Sequence, residues 1–211
     1  MLGSIEGVVF LDRILLLLSP PVCAACDAAL RRDAVFCAPC HGTLEPPPAL
    51  PAGVTAACAY GGAVADAVRR LKFQKRVDLM RPLRRLIVEN LPCPDDIDLV
   101  APVSAHVNRL RARGFDPAAL LARAVAAALN RPLEVELLTR VVDTPHLSSL
   151  TAEDRPEAVR GAFVARPVDD LHVLLVDDVR TTGATLEAAS HALRGQGATV
   201  RSHVLAATPL G

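Results

Sequence analysis

An α/β fold, a parallel sheet with helices on its faces, is predicted by three features of the sequence. From Val54 onward, strand-like apolar runs alternate with helical patterns. Residues 171–176, LHVLLV, are almost continuously apolar, as in a strand buried on both faces. That run leads through two acids and a small, hydroxyl-rich loop into a helical pattern, the order in which such folds place a ligand at the carboxyl end of a strand.

Taken in order, residues 4–18, SIEGVVFLDRILLLL, read as an amphipathic helix packed on its own domain. Glu6, Asp12 and Arg13 interrupt it, so it is too short and too charged to span a bilayer. It lacks the basic start and small-residue cleavage site of a signal peptide, and the expected location is the cytoplasm. Cys23, Cys26, Cys37 and Cys40 then form two C-x-x-C pairs ten residues apart. Two such knuckles supply four thiolates to a tetrahedral Zn²⁺, which also explains how a segment too small for its own core stays folded. Two disulfides or a redox pair are the alternative, and His41 in place of Cys40 is a lesser one. Cys58 and Cys93 read as unpaired structural thiols. Whether the ribbon binds nucleic acid, binds a partner or braces its neighbour stays open. Its only basic residues, Arg31 and Arg32, sit beside Asp27 and Asp33, which argues against an isolated DNA-reading finger. The expected division is a helix and ribbon over 1–45, a stiff Pro-rich connector over 46–53 and the main domain over 54–211.

In the main domain, 54–60 reads as a strand, 63–73 as a helix, and 77–91 as a helix that Pro82 starts or kinks. Residues 98–103 form a short buried strand, and 116–130 a helix with Asp116 as its cap and Pro117 at its first position. Residues 134–142 read as a strand and 151–163 as a short helix at best. The strand at 171–176, a helix from Leu186 and a strand at 199–207 complete the pattern. The chain has 211 residues, 51% of them hydrophobic and only 3% aromatic, so the core is one of Leu, Val and Ala. Zero net charge excludes a general attraction for nucleic acid, leaving only local patches.

Residues 173–185, VLLVDDVRTTGAT, tie chemistry to geometry most closely. The loop Val179, Arg180, Thr181, Thr182, Gly183, Ala184, Thr185 offers backbone N–H groups, hydroxyls and a helix N-terminus, the parts of a phosphate cradle. Asp177 and Asp178 precede it, where carboxylates accept hydrogen bonds from the vicinal hydroxyls of a sugar one ribose from the phosphate. An ordinary strand-to-helix turn capped by threonines is the bland alternative. Neither G-x-x-x-x-G-K-[ST] nor G-x-G-x-x-G occurs, which excludes the P-loop and dinucleotide fingerprints.

Two basic clusters remain. Residues 69–85 hold eight Lys or Arg against one Asp, and read either as solvated surface or as a nucleic-acid groove, with Lys72 the residue expected to face the site. Residues 106–115 add Arg109, Arg111 and Arg113, at least one of which is expected to meet a second phosphate group. His106 reads as a substrate contact or as a structural histidine at a strand end.

Residues 173–185 resemble the phosphoribosyl pyrophosphate (PRPP) signature of type I phosphoribosyltransferases. Across nearly the whole chain, the order of parts resembles the ComF family: a leading helix, the ribbon from Cys23 to Cys40, LKF at 71–73, PV at 102–103, RARGF at 111–115, RGAF at 160–163 and DDVRTTGAT at 177–185. The resemblance implies a type I phosphoribosyltransferase-like sheet with a zinc ribbon, in a cytoplasmic protein associated in some bacteria with DNA uptake during natural competence. It implies PRPP as ligand with Mg²⁺, and Pro102 and Val103 beside the substrate. The expected reaction moves the phosphoribosyl group to an unnamed acceptor. Asp177 and Asp178 steady the ribose, and Arg109 or Arg113 with Mg²⁺ stabilises the leaving pyrophosphate. The rival is a non-catalytic PRPP sensor or a single-stranded DNA-binding protein, with DNA or a competence-machinery protein as partner. The chain departs from the family at Ser104 and Ala105, at Asp116 and Pro117 where the family has Asn-Gln, at Pro145 and at Ala158, which removes amide and polar groups from loops.

Overall fold

The computed structural model describes residues 21–30, 34–92, 96–142 and 161–209. The expectations for residues 4–18, Arg31, Arg32, Asp33, Cys93, Pro145 and 151–160 lie outside them. In chain order the described elements are α1 (Ala38–His41), β1 (Val54–Ala59), α2 (Gly62–Phe73), α3 (Met80–Glu89), β2 (Leu99–Pro102), α4 (Val107–Arg113), α5 (Pro117–Leu129), β3 (Leu138–Arg140), β4 (Phe163–Ala165), β5 (His172–Arg180), α6 (Ala184–Arg194) and β6 (Thr199–Ala207).

The apolar runs that predicted strands form one four-stranded sheet in the order β1-β6-β5-β2, and every pairing in it is parallel. The predicted signature strand, β5, is therefore central. Successive residues of a strand face opposite ways, and β5 shows the consequence. Its Leu174 and Val176 enter one core with Val64, Val68 and Leu71 of α2, Leu83 and Ile87 of α3, and Leu121 and Val125 of α5. Its Val173 and Leu175 enter the other, with Leu186, Ala189 and Leu193 of α6. Burial on both faces is why the sequence shows no polar alternation there.

The helix boundaries follow local chemistry. Asp116 caps α5, its Oδ1 accepting from the Ala118 amide at 3.0 Å, and Pro117 takes the first position. Pro82 falls in the first turn of α3, where its missing N–H leaves no intrahelical bond unmade, and a 3₁₀ turn at Val77–Leu79 precedes it. Thr43, just beyond the cysteine segment, accepts from the Ala63 amide at 3.0 Å and so caps α2 from outside.

Two expectations change. The strand expected over 134–142 is confined to Leu138–Arg140 and lies outside the parallel sheet, paired antiparallel with β4. Glu134 and Glu136 flank exposed Val135, so that half of the segment cannot be buried on both faces. The region read as a short helix at best ends in a strand, β4, whose Phe163 packs under the Arg140 guanidinium at 5.4 Å from the ring centroid. In addition, α4 is a helix that periodicity did not reveal, because seven residues with only Val107, Leu110 and Ala112 apolar carry no readable stripe.

Leu175 is completely buried between β2 and β6. Leu175→Ala is expected to cost about 2–5 kcal/mol, measured as a lower urea midpoint with an unchanged slope.

Candidate functional site

β5 does not stop at Val176 but continues to Arg180, so the two acids lie on the strand itself rather than after it. β2 ends opposite Val176, with the Val103 amide donating to the Val176 carbonyl at 2.8 Å. Beyond that point β5 keeps only β6 as a strand partner, through Asp177 to Val204, Val179 to Ala206 and Arg180 to Ala207. Its other edge opens where a ligand can approach, at the carboxyl end of the sheet.

Lys72 from the last turn of α2 reaches Asp178, with Nζ 2.8 Å from the carboxylate. Asp177 borders the concavity of the following turn, and its Oδ1 accepts from the Asp178 amide at 2.8 Å. Burial, then repulsion from Asp178, pushes the Asp177 pKa up to about 8 against the pull of Lys72. Asp116 joins them. Its carboxyl is also raised, mainly by burial and further by Asp178, although it accepts from the amides of Ala105, Ala118 and Ala119. Asp178 thus pairs with the lysine and repels both other carboxyls.

The loop after β5 is built as a cradle. Thr181 and Thr182 are exposed, and Gly183 turns the chain at φ 85°, in the left-handed region. No side chain caps α6 with a good bond, since Thr182 Oγ1 is 3.5 Å from the Ala184 amide. The amides of Thr185 and Leu186 have no acceptor among the described residues. They border a concavity lined by Asp177, Val179, Arg180 and the 181–186 turn. Thr208, which the sequence reading missed, anchors the loop from beyond β6: its amide donates to Arg180 O at 2.9 Å and its hydroxyl to Thr181 O at 2.8 Å. A threonine one residue past a strand carries no motif, so only the parallel pairing of β5 with β6 reveals it.

Other expected residues fall as follows. Pro102 and Val103 are buried at the end of β2 and do not line the concavity beside the turn. Arg109, Arg111 and Arg113 lie on α4, which leaves that strand end after four residues. His106 is the N-cap of α4, its Nδ1 accepting from the Asn108 amide at 3.3 Å, a structural role. In the first basic cluster, Arg69 pairs with Asp66, Arg70 and Arg76 with Asp27, Arg76 with Asp78, and Arg85 with Glu89. Lys72 alone of these turns to the acids.

The cysteines converge as the spacing predicts. The sulfurs of Cys23, Cys26, Cys37 and Cys40 lie within 4.8 Å of one another, and all four thiols are free. Cys26 and Cys37 are 3.6 Å apart, near the about 3.8 Å edge of a tetrahedron with Zn–S bonds of about 2.3 Å and far from a disulfide bond. Burial opposes the Cys23 thiolate, but the amides of Cys37, Ala25 and Cys26 outweigh it and bring its pKa down to about 6. The donor set fits a metal such as zinc. The ribbon is continuous with the main core: Cys23, Ala24 and Phe36 pack in the same cluster as α2.

A family model described as phosphoribosyl transferase domain matches residues 117–211, from α5 through the cradle to the last strand. Together with the parallel sheet, this defines a phosphoribosyltransferase-domain protein. The DNA utilization protein YhgH of Salmonella typhi is 31% identical over 228 residues, covering 97% of this chain and 99% of that one. Competence protein F of Haemophilus influenzae is 30% identical over 190 residues, covering 84% and 80%. The chain belongs to the ComF family. Among solved structures, the adenine phosphoribosyl transferase of Trypanosoma brucei matches at 16% identity and a TM-score of 0.39, covering 79% of this chain and 75% of that one. Among the described residues, no helix is long and apolar enough to cross a membrane.

Elemental analysis is expected to find about one zinc per chain, lost in Cys26→Ser/Cys40→Ser together with a lower melting temperature. A second test concerns pH. The Asp177 carboxyl binds its proton more tightly when folded, at about 8 against an ordinary 3.8. Its contribution to stability is therefore full below about pH 4 and lost as pH rises through 8. Urea unfolding is expected to show wild type losing stability across that window relative to Asp177→Asn.

Proposed function

We propose that the chain binds PRPP at the carboxyl end of β5 and transfers its phosphoribosyl group to a nitrogen acceptor. The observation that carries this reading is the single strand whose two adjacent acids run directly into a turn of amides and hydroxyls, with Asp177 lining the concavity beside that turn. The 181–185 turn takes the 5-phosphate through backbone N–H groups and threonine hydroxyls. Asp177 and Asp178 accept from the ribose 2- and 3-hydroxyls and stabilise the positive charge that develops on the ring. Lys72 holds Asp178 in place. The carboxylate oxygens here are hard donors, suited to Mg²⁺, which supplies charge neutralisation for the diphosphate when bound. Arg109 or Arg113, on the helix that leaves β2, takes the leaving pyrophosphate.

In the step itself, the acceptor nitrogen forms a bond to the anomeric carbon as the bond from that carbon to the diphosphate oxygen breaks. The electron pair leaves with pyrophosphate, and the acceptor's proton passes to solvent. Position and charge do most of the work, so no dedicated base is needed beside the anomeric carbon. The relatives named for DNA utilization and competence support a place for this activity in DNA uptake. The ion pairing of Arg69, Arg70, Arg76 and Arg85 favours the sugar-phosphate reading over a single-stranded DNA groove along that cluster.

Calorimetry with PRPP and Mg²⁺ is expected to give saturable heat, weakened at least about tenfold in Asp177→Asn/Asp178→Asn. Pyrophosphate release against a panel of bases and amines then identifies the acceptor. No heat with wild type, or an unchanged affinity in the double variant, overturns the proposal.

A further inference from the structure

Arg180 stands out within the cradle. It is 6% exposed, and its Nη1 is the one buried side-chain nitrogen or oxygen without a hydrogen-bond partner among the described residues. Its guanidinium lies in the space that a side chain at Gly183 would fill: a Cβ there would meet Nη2 at 2.8 Å and Nε at 2.9 Å. The same guanidinium lines the concavity bordered by the free amides of Thr185 and Leu186. A buried cation with an open donor is costly in the folded state and is kept where an anion completes it. The phosphate-binding parts read from the sequence are neutral, being amides and hydroxyls. Arg180 adds a full charge beneath them.

Resting on the phosphoribosyl reading above, we infer that Arg180 is the counter-charge of this cradle, making it a site for dianionic phosphate monoesters that needs neither the diphosphate nor Mg²⁺. The ligand class is a sugar 5-phosphate, so the site holds a phosphoribosyl product as well as PRPP. The concavity has room for about 20 Å³, about one water, so one oxygen of the ester enters it while the rest of the phosphate stays outside, against the turn. Nη1 then gains its acceptor. Gly183 suits this turn by its left-handed φ of 85°, and a side chain there would displace the Arg180 guanidinium.

The test compares the full-length zinc-loaded wild type with Arg180→Met. Calorimetry without Mg²⁺ is expected to show ribose 5-phosphate binding to wild type, weakened about 10- to 100-fold in the variant. The ligand-free variant is expected to melt about 2–4 °C higher, because a buried unpaired donor has been removed. A purely structural arginine gives the reverse, a lower melting temperature with unchanged affinity, and that result overturns the inference. If the variant does not fold, the ¹⁵N–¹H resonance of Arg180 Nε in wild type decides, followed as inorganic phosphate is added. A saturable shift supports the role, and an unmoved resonance overturns it. Wild type and Arg180→Met binding PRPP with Mg²⁺ equally well sinks the role of Arg180 and leaves the transferase reading standing. Arg180-dependent binding of ribose 5-phosphate without any binding of PRPP does the opposite. Wild type binding neither ligand overturns both.

Discussion

The ion pair between Lys72 and Asp178, closed at 2.8 Å, sets the charge balance of the whole pocket. Lys72 pairs directly with only one of the two neighbouring acids. Asp178 receives it, and Asp177 is left with burial and repulsion that outweigh the longer-range pull of Lys72. That asymmetry raises Asp177 to about 8 while its neighbour stays paired.

Lys72 is placed by packing that begins in the ribbon. α2 carries Val64, Val68 and Leu71 into the core that also holds Cys23, Ala24 and Phe36. Two residues before Lys72, Arg70 donates to the Ala24 carbonyl at 3.1 Å and pairs with Asp27 inside the knuckle. Arg76 reaches the same Asp27 at 3.0 Å from the other side of Lys72. The cysteine framework therefore grips both flanks of the segment that supplies the pocket's lysine. A ribbon joined this way braces the domain beside it, one of the three roles its sequence left open.

What was legible in the sequence was whatever local periodicity or spacing records. The continuous apolar run of β5, the Asp-Pro start of α5 and the paired C-x-x-C knuckles each carry their structure in a few adjacent residues. Less legible was anything decided by a distant partner. β5 runs on through Asp177, Asp178, Val179 and Arg180 because β6 lies beside it, a pairing the charged string conceals. Thr208 reaches the cradle for the same reason. The basic run at 69–85 looked like one surface, yet its ion pairs run to Asp66, Asp78 and Glu89 close by in the chain and to the distant Asp27 and Asp178. Charge counts do not show which carboxylates fold back onto them.

Asp116, where the resemblance to the family implies an asparagine, caps α5 by accepting from the amides of Ala118 and Ala119. An ionised carboxylate is the stronger acceptor at a helix N-terminus, and the positive end of the α5 dipole favours its charge. The same charge lies close enough to the β5 acids to raise Asp177 further, as Asp178 in turn raises Asp116. The cap and the pocket therefore compete for one tolerance of negative charge. Lys72 is already committed to Asp178, so a third acid at this position caps α5 while raising the Asp177 carboxyl further.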